Sequence, residues 1–262
     1  LDSIWVYDHL LYRWPGRAPD GIWECWTMLS ALAEATQRIQ LGSLVACSQF
    51  RNPALMAKMA ATLDEVSGGR LTLGLGAGWH QPEFDAFGLP FDHRVSRFEE
   101  ALQIISPLLR NGQVDFAGKY YAARNCELIP RGPRPAGPPL LLAGKGPRML
   151  RLVARDADAW NTAWYASPTT AQESIDEMHA ACEAEGRDPA TLELTISVPV
   201  SFPDLGGGSA RSESLSGPPD DIAATLRGFE ALGARHIMVE FAPYTPEALD
   251  RFAEAVRVFR ER

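Results

Sequence analysis

At 262 residues and 28.7 kDa the chain exceeds a minimal domain and has the size of one α/β barrel, since single barrels of about 250 residues are common. Its 46% hydrophobic and 22% charged residues exclude a disordered or collagen-like chain. No apolar run approaches the ~20 residues of a membrane span, and a net charge of −8 argues against nonspecific nucleic-acid binding, so neither a membrane nor nucleic acid is expected as partner.

Short apolar runs alternate with amphipathic stretches from the first residue onward. Ser3–Asp8 reads as a strand and Ile39–Cys47 as the next. Asn52-Pro53 opens a helix with Leu55, Met59 and Leu63 on one face, and Gly68 closes it. Arg70–Leu75 is a strand and Arg94–Arg110 a helix. From residue 113 to 139 the pattern changes. Val114–Phe116, the turn Ala117-Gly118 and Lys119–Tyr121 read as a hairpin, followed by a passage carrying Pro130, Pro133, Pro135, Pro138 and Pro139. This segment is expected as an insertion between the fourth and fifth barrel strands that partly covers the site. Strands are then expected at Pro139–Ala143, Ala157–Asn161, Leu192–Val200 and His236–Phe241. Helices are expected at Pro147–Arg155, Thr169–Glu185, Pro219–Leu232 and Pro246–Arg262, and Leu205–Ser216, with its run Gly206-Gly207-Gly208, is expected as a mobile loop.

Compact apolar strands are those of a parallel sheet buried on both faces. Their alternation with helices implies right-handed βαβ units. The fold class is therefore α/β, one (β/α)8 TIM barrel domain over residues 1–262. Seven strands can be counted, and the first of the eight is expected to lie ahead of Leu1.

In such a barrel the working residues sit at the C-terminal strand ends. Those ends carry Asp8-His9, Cys47, Gly78-Trp79-His80, Gly144-Lys145-Gly146 and Trp160-Asn161, with Trp14 and Trp164 just beyond. The tryptophans suit an apolar cleft for a planar ligand; the plainer alternative is loop packing. Gly74-Leu75-Gly76-Ala77-Gly78-Trp79 fails as a dinucleotide fingerprint, because Trp79 replaces its third glycine, and tight strand-to-loop geometry is the competing reading. Gly144-Lys145-Gly146-Pro147-Arg148 joins a strand to a helix start, where free N–H groups and basic side chains suit a phosphate; the alternative is an ordinary turn. Asp8-His9 is the best acid/base candidate, the Asp orienting the His. The five histidines form no metal signature, and His179 falls mid-helix. Cys25, Cys47, Cys126 and Cys182 lie far apart, which argues against a disulfide framework and fits a reducing cytoplasm.

Several blocks together resemble one family: Asp2–His9, Leu41-Gly42 with Arg51-Asn52-Pro53, Ser67–Arg70, Leu73–Trp79, Ala143–Gly146 and Asp156–Asn161. The chain resembles, over nearly its whole length, the bacterial luciferase-like flavin and deazaflavin oxidoreductases. The resemblance implies a (β/α)8 barrel with an insertion region, usually dimeric, that binds FMN or coenzyme F420 at its C-terminal face. By it, Asp8 and His9 lie beside the cofactor ring. A non-proline cis peptide falls near Leu44-Val45, with Leu44, Val45 and Ala46 backing the ring. Gly78, Trp79 and Trp160 join the cofactor contacts, and Gly144, Lys145 and Gly146 take the phosphate. Deazaflavin sugar-phosphate dehydrogenases of this family carry a catalytic Glu where Trp79 stands, so that substrate class is not expected. The implied activity is a cytoplasmic oxidoreductase, expected as a homodimer, passing a hydride between coenzyme F420 and a small organic substrate. In it Asp8, His9 and His80 are the catalytic set, with Trp79 and His80 lining the substrate pocket and no metal. An FMN-dependent monooxygenase fed by a separate flavin reductase is the alternative within enzymes, and a noncatalytic flavin-binding protein the alternative outside them.

Overall fold

The computed structural model describes residues 1–206, 211 and 213–261, and the chain divides into two compact units, Asp2–Gly144 and Lys145–Arg262 with Leu1.

The first unit begins with β1 (Ser3–Val6), a small antiparallel ribbon of β2 (Leu11–Tyr12) and β3 (Asp20–Gly21), and α1 (Cys25–Ala35). There follow β4 (Gln40–Ser43), β5 (Ala46–Cys47), α2 (Pro53–Val66), β6 (Leu71–Gly76), α3 (Gln81–Phe87) and α4 (Arg94–Asn111). The hairpin β7 (Gln113–Ala117) and β8 (Ala122–Glu127) precedes β9 (Leu140–Ala143). Strands β1, β4, β6 and β9 are parallel neighbours in that order, with Trp5 opposite Gly42, Leu41 opposite Leu71 and Leu73 opposite Leu140. The strand expected at Ile39–Cys47 is split: β4 and β5 flank a cis Leu44-Val45 peptide, the bond the family resemblance implies. Leucines of β6 and β9, among them Leu73, Leu75 and Leu142, are fully buried, as are Met56 and Ala60 of α2 and Phe98 and Ile105 of α4.

Helix α2 shows how local signals and packing share the work. Asn52 accepts the Ala54 and Leu55 N–H groups, and Pro53 occupies the first turn, as its sequence dictates. The buried face is not the expected one. Leu55 is exposed and Met59 only half-buried, whereas Met56, Ala57, Ala60, Leu63 and Asp64 are inside. Three alanines, Ala57, Ala60 and Ala61, are on this buried face, so small residues as well as large ones mark it. Helix α1 escapes sequence reading because its N-cap is Glu24, which accepts the Thr27 N–H, and not one of the usual Ser, Thr, Asp or Asn.

The insertion forms its hairpin, but the second strand starts at Ala122 rather than Lys119. Residues 118–121 make the turn because the Glu100 carboxylate accepts the N–H groups of Lys119, Tyr120 and Tyr121 at 2.7–3.0 Å. The proline-rich tail is held away from the C-terminal strand ends. Arg134 pairs with the fully buried Asp64 of α2 and donates to the Leu71 carbonyl at the start of β6, and Arg131 donates to carbonyls at the end of α4.

The second unit contains α5 (Pro147–Asp156), β10 (Ala159–Ala163), α6 (Pro168–Ala184), β11 (Glu193–Ser201), α7 (Pro219–Ala231), β12 (His236–Ala242) and α8 (Pro246–Arg260). Strands β10, β11 and β12 are parallel in that order, pairing Asn161 with Thr195 and Val198 with Val239. All four helices open on proline, whose fixed φ suits a first turn and whose missing N–H costs nothing there. The strand expected at Ala157–Asn161 lies two residues later, because α5 runs on to Asp156. Of the loop expected to be mobile, Gly207 and Gly208 lie outside the described residues. Its described end is tied down: Leu215 bridges to β11 through bonds with Pro199 and Ser201, and Arg211 pairs with Glu240.

Candidate active site at the strand ends

Asp8 and His9 follow the end of β1 as neighbours in the chain, but their side chains take different partners. Asp8, buried to 3% exposure, accepts two bonds from Arg51 at 2.7 and 3.1 Å and one from the Cys47 N–H at 2.9 Å. Arg51 also reaches Glu24 at the start of α1, so the triad ties β1, β5 and two helix starts together. Burial raises the Asp8 pKa, and the Arg51 and Cys47 bonds pull the other way. The expectation that Asp8 orients His9 is thus corrected: its carboxylate serves Arg51.

His9 is oriented by a residue that the sequence reading missed. Its Nδ1 lies 2.8 Å from Glu83 Oε1, and Glu83 Oε2 accepts the Leu10 N–H at 2.8 Å. Glu83 stands in the first turn of the short helix α3 and is 1% exposed. Pro82 and Gly88, a helix start and stop, were the signals that could have revealed α3 and with it Glu83.

His80 precedes α3. It is 3% exposed, and its Nε2 accepts the Arg13 N–H at 3.0 Å. Burial lowers its pKa from the ordinary 6.5 and His9 adds to that effect, against the raising pull of Glu83. An Nε2 that accepts an N–H leaves the ring proton on Nδ1, and the contact fastens His80 to backbone. Around His9 stand Tyr12 at 4.4 Å between ring centroids and Trp79 at 5.5 Å; Trp14 lies 5.9 Å from Trp79. Trp79 is 54% and Trp14 38% exposed, so this wall presents aromatic faces to solvent. Gly78 makes the turn into it with φ +71°; a Cβ there would lie 2.6 Å from Phe84 Cζ and 2.8 Å from Cys47 Sγ. Leu44 and Val45 are half-buried and Ala46 fully buried. Burial pushes the Cys25 and Cys47 thiols up, that of Cys47 to about 12, which removes both as nucleophiles.

In the second unit, α5 opens on Gly146, at φ +84° and ψ 155°, with no side chain capping the helix. No atom lies within 4 Å of where a Gly146 Cβ would stand, and Lys145 is exposed. Uncapped N–H groups, open space and a lysine fit an anionic group such as a phosphate. Lys145 Nζ stands 5.0 Å over the ring of Tyr165, whose hydroxyl lies 3.0 Å from Thr162 Oγ1 and donates to Ser174 at 2.7 Å. Burial alone would raise the Tyr165 pKa, but Ser174, Thr162 and Lys145 together lower it. Trp160 is 1% exposed within β10, so it offers no surface to a ligand, contrary to expectation. Trp164 follows a second non-proline cis peptide, and the Arg211 guanidinium lies 3.6 Å over its ring. Among the described residues no group of three or more metal-ligating side chains gathers, and no helix is long and apolar enough to cross a membrane.

The family profile of luciferase-like monooxygenases matches residues 1–204. A phthiodiolone/phenolphthiodiolone dimycocerosates ketoreductase of Mycobacterium tuberculosis is 34% identical over 209 residues, covering 73% of this chain and 55% of the relative. The pyrimidine monooxygenase RutA of Cronobacter sakazakii is 32% identical over 183 residues, covering 65% of this chain and 52% of the relative. The chain thus spans about half the length of the curated relatives it matches. Among solved structures, an F420-dependent secondary alcohol dehydrogenase superposes with a TM-score of 0.81 at 20% identity, covering 99% of this chain and 91% of that one. That likeness shows the fold: a luciferase-like α/β barrel of the TIM class.

Proposed function

The chain belongs to the luciferase-like monooxygenase family of oxidoreductases, and from that premise we propose that it interconverts a ketone and its alcohol, with a deazaflavin of the coenzyme F420 class as hydride carrier. The observation that carries this reading is His9, held by Glu83 through Nδ1 beside the aromatic wall of Tyr12, Trp14 and Trp79. Ketone–alcohol chemistry moves a proton on oxygen together with a hydride on carbon. A positioned imidazole supplies the first of these needs. When bound, the deazaflavin supplies the second, donating or accepting the hydride. The ketoreductase relatives support the substrate class.

His9 in its neutral form is the residue that takes the proton from the alcohol, and in its imidazolium form the one that gives it to the carbonyl oxygen. Tyr12, Trp14 and Trp79 receive the apolar body of the substrate and keep water from it. Gly144, Lys145 and Gly146 are the residues suited to the cofactor phosphate, by backbone N–H groups and one charge. Leu44, Val45 and Ala46 supply a wall for a planar ring, and Asp8 with Arg51 holds the backbone of that wall in place through the Cys47 N–H.

A second reading is favoured by the pyrimidine monooxygenase relative: an FMN-dependent monooxygenase served by a separate flavin reductase. Titration of the purified protein with coenzyme F420 and with FMN, oxidised and reduced, tells the two apart. The expected result is tight binding of F420 and ketone-dependent oxidation of its reduced form. Tight FMN binding without F420 binding overturns the first reading in favour of the second. Binding of neither favours a noncatalytic protein.

A further inference from the structure

We propose that Glu83 is the positioning residue of the site: it fixes neutral His9 in the tautomer protonated on Nδ1, so that the lone pair stands on Nε2. A neutral imidazole has one N–H and one lone pair, and whatever holds one nitrogen decides the chemistry of the other. An ionised carboxylate only accepts. Glu83 Oε1 lies 2.8 Å from Nδ1, so Nδ1 carries the proton that bridges them. Among the described residues Nε2 has no hydrogen-bond partner, and the ring that carries it lies 4.4 Å from Tyr12 and 5.5 Å from Trp79.

The carboxylate cannot turn away. Its second oxygen accepts the Leu10 N–H, so two consecutive residues of one strand end grip both oxygens. Its own backbone is set by α3, where the Glu83 N–H donates to the His80 carbonyl at 3.2 Å. His80 in turn accepts the Arg13 N–H, which closes the loop back on the segment that bears His9. The other carboxylate near in sequence, Asp8, is committed to Arg51 and the Cys47 N–H. Glu83 is therefore the one side chain in hydrogen-bond contact with the His9 ring among the described residues.

The tautomer itself depends on this chain alone. That the Nε2 lone pair receives the proton of a substrate hydroxyl rests on the functional reading above. The test is a long-range proton–nitrogen spectrum of the whole, cofactor-free chain labelled with 15N-histidine, at a pH where His9 is neutral. His9 is expected with its proton on Nδ1. Glu83→Gln has one accepting oxygen and one NH2: with the oxygen on the Leu10 N–H the amide donates to Nδ1, and His9 is expected to move to the Nε2–H form. Glu83→Leu is expected to move His9 several-fold toward the Nε2–H form, with kcat falling by about 10-fold or more and KM changing less. A wild-type His9 protonated mainly on Nε2 overturns the proposal, as does a folded leucine variant with an unchanged tautomer. If the leucine variant fails to fold, the wild-type and glutamine spectra decide alone: retention of the Nδ1–H form in the glutamine variant, with its fold intact, also counts against it. Failure to bind F420 or FMN would sink the functional reading and leave the tautomer result standing.

Discussion

Two histidines 71 positions apart in the chain, His9 and His80, sit 6.5 Å apart between ring centroids and have opposite duties. Under the proposed function His9 keeps one ring nitrogen for chemistry, and it gives the other to Glu83. His9→Ala is expected to lower turnover by about 100-fold or more, the usual worth of a positioned acid or base, with little change in cofactor affinity. Steady-state kinetics beside a binding titration checks this, and unchanged turnover removes His9 from the reaction. His80 instead accepts a backbone N–H that it would lose on protonation. Its folded pKa lies below the unfolded 6.5, so only the unfolded chain takes up this proton as the pH falls past that value. The contribution of His80 to stability is thus fully present above pH 6.5 and is lost below it. Urea unfolding at pH 7.5 and at pH 5.5 should show a smaller loss of stability for His80→Gln than for the wild-type chain. Equal losses would mean that His80 is charged in the folded protein.

Between elements, the glycines at two turns show how conformation and space make separate demands. Gly146, at φ +84° and ψ 155°, occupies a region open in practice to glycine alone, but it has empty space where a Cβ would go. Gly146→Ala is expected to cost about 1–3 kcal/mol from backbone conformation. Gly78, at φ +71°, adds a collision with Phe84 and Cys47, so Gly78→Ala should cost more than Gly146→Ala. Denaturant unfolding of both variants measures the order, and the reverse order would show that the Phe84 and Cys47 side chains give way freely. The hairpin turn depends on one carboxylate in the same way. Glu100→Ala removes the acceptor of three N–H groups and is expected to cost about 1–3 kcal/mol. Hydrogen exchange should then accelerate at Lys119, Tyr120 and Tyr121, while the amides of α4 keep their protection.

For the whole molecule, cofactor choice is a matter of linkage. A ligand that binds only the folded chain stabilises it by about 2.7 kcal/mol at a concentration of 100 Kd. For a chain of this size that corresponds to roughly 5–10 °C in Tm. Coenzyme F420 is expected to raise the Tm by this amount, and FMN at the same concentration by much less. Scanning calorimetry with each cofactor makes the comparison, and a larger shift with FMN would turn the assignment toward the monooxygenase reading.

The amino-acid sequence by itself determined what depends on neighbours along the chain. Strand positions followed from apolar runs, and helix starts followed from Pro53, Pro147, Pro219 and Pro246, because propensity and capping act over a few residues. The same local signals marked Gly144–Gly146 as a strand-to-helix turn and placed His9 just after a strand end. The cis bond at Leu44-Val45 was legible only through family resemblance. Tertiary structure alone decided which charges meet. Asp8 adjoins His9 in the chain yet bonds Arg51, while Glu83 reaches His9 across 74 positions. Adjacency in the chain does not fix which distant element a side chain meets, so only packing can choose its partner. The buried face of α2 and the burial of Trp160 were settled in the same manner, by which surfaces could close together without voids.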